Sequence, residues 1–555
     1  MKKVKVLAAL LAALLTLSAC TSTNSGSSSA STNSSTESSG DKSSAVSSEA
    51  QAEDSNFNET GYPIVNEKIT ITGFGNQNVT HKDWQDVYCF TKYEELSNIH
   101  IEWTTAPNQG YAEKKNVLLA GGEYPDIFYR AGLSVGDQVN YGSKGLLVPM
   151  NDLIDQYAPN LTARFEEVPD MKKCVTMPDG NIYTLPSRSL CEEGTGEYNW
   201  INTRWLENVN MEMPTTLAEL EAVLVAFKEQ DANGNGDPND EIPYSDRASG
   251  KSILHATNGS FGIGSLGRNV LNSYLDLDES GKIRMFAVSD NFKAQLQWVN
   301  GLYSKGLIDP EMFTQDIPTF TSKGEQDLIG AVFHNNNPEI IGAQHMDEFK
   351  AAPPLANEDG TRVFNNLGTT FGSGAFAISS TNPYPKESMR WIDYYYGEEG
   401  AKLLWLGEEG VTYIDNGDGT YAMTEYVTNN PDGLNRPQAI GQYAIGFAGG
   451  GCPVFTTEAF ERARLTDACF EAWDAVMPYY QVEGLASFSY TTEEQDRLNA
   501  LSADIVTYVD EMKVQFITGK QSFDQWDSYV KNIENMGLEE YVQIQQAAYE
   551  RWANS

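Results

Sequence analysis

The stretch DANGNGDPNDEIP, Asp231 to Pro243, sets oxygen-bearing side chains at alternate positions around glycines, an arrangement that can wrap a hard cation. Asp231, Asn233 and Asn235 fill the first, third and fifth places of an EF-hand loop, and Gly234 and Gly236 allow the chain reversal that turns such donors inward. The twelfth place, where an EF-hand carries a bidentate Glu, is Ile242, and Pro243 blocks a following helix. Asp240 and Glu241 can close the loop early with carboxylates, and Asp237 can add a backbone carbonyl. Calcium would have no second helix to swing open, so the loop reads as a static clip for one ion, or as an Asx-rich turn without one.

Other reactive patterns are few. GLSVG, Gly132 to Gly136, fits the GxSxG nucleophile elbow and makes Ser134 a candidate nucleophile. An elbow needs a helix directly after the serine, whereas DQVNYGSKG breaks at Gly142 and no HGGG-like donor loop is present. His81, His100, His255, His334 and His345 show no metal-ligand spacing. With 77 acidic side chains, some carboxylate pair will fall at glycosidase distance in any fold, so acid pairs by themselves identify nothing.

The cation loop follows a well-marked helix in PTTLAELEAVLVAFKEQ: Thr216 with Glu219 forms a capping box, and Leu217, Leu220, Leu224 and Phe227 make one apolar stripe. Earlier, KITITGFG and IHIEWTT read as strands separated by a helix, and NVLLAGGEYPDIFYR as a helix ending at Gly121 and Gly122 before a buried strand. Alternating strands and helices imply a largely parallel sheet covered on both faces. MPDGNIYTLP reads as a hairpin turning at Asp179-Gly180, and the C-terminal part as mainly helical.

At 555 residues the chain exceeds the size at which one core stops growing, roughly 250 to 300 residues, so two lobes are expected. The net charge of −39 excludes a sequence-independent grip on nucleic acid or a resting place on anionic lipid. At the N-terminus, Lys2, Lys3 and Lys5 precede the apolar run Val6 to Leu15, a signal peptide too short to span a bilayer. The Ser/Thr-rich stretch that follows has nothing apolar to pack and acts as a tether with a typical span of about 30 to 36 Å. Cys89, Cys174, Cys191, Cys452 and Cys469 form no CxxC; they read as mostly buried, with at most one pair that the sequence does not identify.

Taken together, LSAC (Leu17 to Cys20), GEYPDIF, LVPMNDLIDQYAPNL, DGNIYTLP, INTRWLENVNMEMPTTLAELEAVLVAFKEQDANGNGDPNDEIP and LGEEGVTYIDNGDG resemble, in that order, the extracellular solute-binding proteins of family 1, in the branch of oligosaccharide-binding lipoproteins of ABC importers. The resemblance implies an α/β, two-lobe periplasmic-binding-protein-like fold of type II, with crossing strands and a ligand cleft between the lobes. It implies a lipobox that removes residues 1–19 and leaves a lipid thioether, of the palmitate-bearing kind, on Cys20, so that the chain sits on the extracellular face of the cell membrane. It implies one structural calcium held by Asp231, Asn233, Asn235, Asp237, Asp240 and Glu241. The loop is one residue longer than the usual pattern before DEIP, which leaves Asn239 and Asp240 as alternative ligands. Asn202-Thr203-Arg204 stands where the family usually has Arg-Lys-Asp, so no acidic role carries over there.

The expected layout is a tether over 20–60, lobe 1 from 61–186 with 328–378, and lobe 2 from 187–327 with 379–555, carrying the calcium loop 231–241. A sugar cleft needs flat rings for apolar sugar faces, with amides and Arg for hydroxyls, placed at the carboxyl ends of strands. The candidates are Asn76, Gln77, Trp84, Tyr129, Arg130, Arg188, Tyr198, Trp200, His334, Asn335 and Phe371, with Trp84 and Trp200 foremost. The expected activity is capture of an oligosaccharide by a monomer and its delivery to an ABC permease, without catalysis. The competing reading is a secreted carbohydrate-active enzyme, a glycoside hydrolase or esterase.

Overall fold

The computed structural model describes residues 56–189, 196–246, 253–265, 274–335, 341–342, 344–365, 371–447, 451–480 and 488–554. The signal peptide, Cys20, most of the tether and Cys191 lie outside the described residues.

The strands are β1 (Ile69–Gln77), β2 (Ile99–Pro107), β3 (Ile127–Tyr129), β4 (Leu185–Ser189), β5 (Glu197–Asn202), β6 (Leu275–Leu277), β7 (Ile283–Met285), β8 (Ala331–Asn335), β9 (Phe349–Ala351), β10 (Phe371–Ile378), β11 (Tyr413–Asp415), β12 (Tyr421–Met423) and β13 (Phe455–Thr456). They build a six-stranded sheet in the order β13-β4-β10-β3-β1-β2 and a three-stranded sheet in the order β8-β5-β9, with β6-β7 and β11-β12 as separate hairpins. β1 pairs parallel with β2 and β3, as the strand and helix alternation implies. β10 enters antiparallel between β3 and β4, and β5 pairs antiparallel with both β8 and β9.

In β1 the sequence ITITGFGNQ buries Ile69 and Ile71 on one face, then gives way to glycine. A Cβ on Gly73 would lie 2.6 Å from the Trp103 ring and one on Gly75 2.2 Å from the Trp84 ring, so these positions are small because tryptophans lie flat on the strand. One face of the six-stranded sheet carries Trp84, Phe90, Tyr129, Trp391, Tyr395 and Phe455; Phe74, Tyr111, Phe128 and Tyr183 make a second, smaller cluster. The other lobe is centred on Trp205, Leu220, Leu224, Phe227, Phe292 and Ile505, and Trp200, Val332 and Phe349 make a cluster against its sheet.

The helix before the cation loop runs from Leu217 to Glu229, with the capping box of Thr216 and Glu219 formed and the apolar stripe buried, extended by Val223. Each such burial is worth about 1.5–3 kcal/mol. The bridge between Thr176 and Ile182 and the bond from Gly180 N to Met177 O (2.8 Å) form the expected hairpin turn. The C-terminal helices Thr492–Ile517, Trp526–Asn535 and Leu538–Asn554 close the second lobe.

The segment assignment differs from the sequence expectation. Residues 331–351 give β8 and β9 to the sheet of β5, so they belong to lobe 2, while Met389, Trp391, Leu404, Tyr413, Val454 and Phe460 pack into lobe 1. Counting the described residues alone, lobe 1 thus draws on those within 56–189 and 371–464, and lobe 2 on those within 196–365 and 465–554. Among the described elements the lobe changes between β4 and β5, between β9 and β10, and between the helices Glu458–Arg464 and Asp467–Val476. Apolar periodicity cannot reveal which of two similar sheets a buried strand joins, because any edge with matching register satisfies its hydrogen bonds.

Candidate functional site

The loop after the helix Leu217–Glu229 is curled by side chains bonding to backbone amides. Asn233 Oδ1 accepts from Asn235 N (2.9 Å), Asn235 Oδ1 from Asp237 N (2.8 Å) and Asp231 Oδ2 from Gly236 N (3.0 Å). Gly234 and Gly236 take φ of 76° and 96°, the left-handed conformations that turn the donors inward. Asp240 receives the side-chain amides of Asn233 (3.0 Å) and Asn235 (2.8 Å), and Glu241 Oε1 receives Ala232 N (2.9 Å). Asp231 Oδ1 and Glu241 Oε2 remain buried with no hydrogen-bond partner. Burial raises the Glu241 carboxyl above its ordinary value, and the neighbouring Asp240 charge adds to this. Unsatisfied anionic oxygens, amides and carbonyls form a donor set suited to a hard divalent cation. Asn239 turns its amide to Asp237 Oδ1 (3.0 Å) on the exposed rim, so of the two alternatives the inward one is Asp240. Ile242 bridges to Ile329 as extended chain, and no second helix leaves the loop.

Arg204 fastens this loop to the lobe. Its Nη1 donates to Asn233 O (2.6 Å), Nη2 pairs with Asp327, and Nε lies 3.1 Å from Glu348. Trp205 Nε1 also donates to Asp327 (3.2 Å) and Asn202 Nδ2 to Glu348 (3.2 Å). Asp327, His345 and Glu348 bring ligand-type atoms within 4.8 Å of one another, but the guanidinium already pairs with both carboxylates, so the group is an ion-pair network and not a metal centre. The position where the family pattern has Asp is therefore occupied by the cation that organises this corner.

The proposed sugar contacts divide in two. Arg188 of β4 is in register with Phe371 of β10, and on β5 and β8 Tyr198 faces His334 while Glu197 faces Asn335. These pairs flank the first two crossings, one on each lobe. Arg188 and His334 are half-buried; the side chains of Asn335 and Phe371 lie outside the described residues. At the carboxyl end of β1, Asn76 keeps a buried Oδ1 without a hydrogen bond, and its carbonyl receives Arg130 Nη1 (3.1 Å). Arg130 itself has φ of 47° and is buried. Gln77 is committed to Lys82 O (3.0 Å) and Thr105 Oγ1 (2.6 Å).

The foremost aromatic expectations fail. Trp84 and Trp200 are both 0% exposed. Trp84 is enclosed edge-on by Trp103 (5.0 Å), Phe90 (5.5 Å) and Tyr129 (5.8 Å), and Trp200 donates Nε1 to His334 O (3.1 Å) beneath the second sheet. Tyr129 is fully buried with its hydroxyl pushed well above the ordinary range by burial, and Tyr198 stacks on Phe364 (5.9 Å). A ring with no exposed face offers nothing to a sugar; these four residues build the walls on which polar neighbours stand. Two polar residues that the sequence reading did not single out are buried on β5: Glu197 at its start, and Asn199, whose Oδ1 takes the Tyr244 hydroxyl (3.1 Å) while Nδ2 has no hydrogen bond.

A helix does follow Ser134 directly, against the break expected at Gly142, but the serine is committed to capping that helix and is no nucleophile. It caps the helix Val135–Ser143, its Oγ accepting from Asp137 N (3.0 Å) while Asp137 accepts from Ser134 N (3.0 Å). A buried Lys115 donates to Asp137 (2.8 Å) and to Gly132 O (2.9 Å), completing a structural corner.

The chain is 28% identical over 520 residues to the fructooligosaccharide ABC transporter substrate-binding protein FusA of Streptococcus pneumoniae, spanning 91% of this chain and 94% of that protein. The structure of the FusA EF-hand mutant in complex with fructo-nystose superposes with a TM-score of 0.75 at 25% identity, covering 88% of this chain and 100% of that one. An HMO-binding solute-binding protein associated with an ABC transporter, from Bifidobacterium longum infantis, shares the two-lobe fold with a TM-score of 0.71 at 22% identity, covering 87% and 99% of the two chains. The model of the bacterial extracellular solute-binding proteins matches residues 81–402, more than half of the sequence. The chain belongs to that family and is a binding protein, not an enzyme.

Proposed function

We propose that the protein captures an oligosaccharide between its lobes and presents it to the permease of an ABC importer, held at the cell surface as a monomer by a lipid on Cys20. The observation that carries this reading is the set of polar residues at strand ends near the change of lobe, Arg188 of β4 in lobe 1 and Glu197 and His334 of β5 and β8 in lobe 2, in a chain whose relative FusA is a fructooligosaccharide-binding protein. Asn76 and Arg130 extend the polar rim at the carboxyl ends of β1 and β3. Ligand touching both lobes would favour the closed form, which the permease reads. The lipobox LSAC supports the anchor, and its acylation is checked by mass spectrometry of the membrane-bound form.

The loop 231–241 holds one structural calcium in this reading, with Asp231, Asn233, Asn235, Asp240 and Glu241 as side-chain ligands and Asp237 through its carbonyl. The two unsatisfied buried oxygens, Asp231 Oδ1 and Glu241 Oε2, favour it over a bare Asx turn, and the EF-hand named for FusA points the same way. The ion supplies positive charge where acidic groups meet, and its role is to fasten the loop.

Isothermal titration against fructooligosaccharides of increasing length, with malto- and cello-oligosaccharides as controls, tests the reading. Saturable binding to one series, with the sugar recovered intact on chromatography, is expected; recovery of shortened products would overturn it.

A further inference from the structure

The helix Val135–Ser143 is held to lobe 1 more by polar ties than by apolar packing. Its buried residues are Gln138, Val139 and Gly142, and Val139 is the apolar side chain among them, with Val135 and Tyr141 at the edge of the same cluster. Apolar contact has no preferred direction, so directional hydrogen bonds must set the tilt of such a helix. Gln138 supplies them. It is 0% exposed, its Nε2 donates to Leu133 O (3.1 Å) and to Ser373 Oγ (3.2 Å), and its Oε1 accepts from Thr184 Oγ1 (2.8 Å).

These partners sit on the two strands of lobe 1 that border changes of lobe. Thr184 immediately precedes β4, and Ser373 lies in β10. Ser187 pairs with Gly372 and Leu185 with Phe376, so Ser373, Gly374 and Ala375 stand against Pro186 alone, a bulge at a residue with no N–H to give the ladder. The bulge is held by Ala131 N to Ala375 O (3.1 Å), Leu133 N to Gly374 O (3.1 Å) and Gly374 N to Thr184 Oγ1 (3.1 Å). Gly374 takes φ of 80°, and a Cβ there would lie 2.1 Å from Leu133 O, so the close approach requires glycine. On the same helix as Gln138, Gly136 meets Gln495 of lobe 2.

We propose that Gln138 is a positioning residue: it locks this helix to β10 and to the start of β4, and so fixes the angle at which Gly136 meets Gln495 and the separation of the lobes from which closure starts. A buried amide bonded at both ends rigidifies its surroundings, and its loss leaves the Leu133 carbonyl and the Thr184 hydroxyl short of a partner. The role rests on the proposed closure over an oligosaccharide, while the geometry it sets exists without sugar.

The experiment is small-angle X-ray scattering of the full exported chain without sugar, for the parent, Q138L, Q495A and the double variant, with Tm recorded for each. Q138L and Q495A are each expected to raise the radius of gyration by a similar amount, and the double variant by no more, because the second change has no contact left to lose. Affinity for any sugar bound should fall about 2- to 30-fold in Q138L and no further in the double variant. A role in stability alone lowers Tm and leaves the scattering unchanged, and that outcome overturns the proposal. An increase in Q138L that adds to the increase in Q495A overturns it as well. If Q138L fails to fold, T184V and S373A each delete one of the bonds and should shift the scattering in the same direction by less; unchanged scattering in both overturns the proposal equally. If no oligosaccharide binds, the proposed capture falls while the sugar-free scattering still decides the role of Gln138.

Discussion

Gly136, at the start of the helix Val135–Ser143, lies directly against Gln495 of the helix Thr492–Ile517: a Cβ on the glycine would sit 3.2 Å from both Cδ and Nε2 of that amide. The first helix packs into lobe 1 through Val139 and the second into lobe 2 through Leu498 and Leu501, so the lobes touch here in addition to the crossings. Gln495 Oε1 is buried there without a hydrogen bond. Replacing Gly136 with Leu inserts a wedge costing about 1–3 kcal/mol if the contact is kept. The expected result is a larger radius of gyration in X-ray scattering with sugar present, and an affinity loss of roughly 5- to 100-fold. Unchanged scattering and affinity would show that closure does not use this contact.

Calcium removal separates a fastener from a ligand-binding element. Asp231 and Glu241 carry the unsatisfied oxygens, so calcium at 100 times its Kd is expected to add about 2.7 kcal/mol of stability, lost on EGTA treatment and absent in D231N/E241Q. Sugar affinity measured by titration with and without EGTA stays within about twofold, since the loop sits at the Arg204 corner and not at the crossings.

Trp84 tests the division between wall and rim. W84A opens a cavity beneath Gly75 and is expected to cost about 3–5 kcal/mol in denaturant unfolding. At temperatures where it remains folded, it binds sugar with little change, whereas R188A at the crossing loses at least tenfold without a comparable loss of stability.

Asp393 gives a pH signature. It is buried, accepts from Leu161 N (2.8 Å), Asn160 N (3.2 Å) and Asn160 Nδ2 (3.0 Å), and so caps the helix Pro159–Glu167. Burial outweighs these bonds and raises its carboxyl to about 6. The folded state then holds the proton more tightly than the unfolded chain, whose carboxyl titrates near 3.9. Its contribution is full below about pH 4 and is lost as pH rises to about 6, amounting to about 3 kcal/mol at most. In D393N, where one acceptor oxygen of the cap remains and the titration is removed, Tm relative to the parent should rise between pH 4 and 6; parallel profiles would contradict this.

By itself the sequence determined what is local or chemical in type. The capping box of Thr216 and Glu219, the turn at Gly180, the reversals at Gly234 and Gly236 and the family all follow from residues adjacent in the chain, where spacing alone sets geometry. Only the tertiary structure decided which aromatic rings are buried in the lobes. Trp84 and Trp200 were foremost because aromatic rings stack on sugars, but a buried ring and a stacking ring have the same sequence signature, and the glycines that draw Trp84 into the core act across a strand. Asp240 was separated from Asn239 and β8 moved to the sheet of β5 for the same reason. Contacts between distant segments are fixed by packing and register, and neither leaves a spacing in the chain.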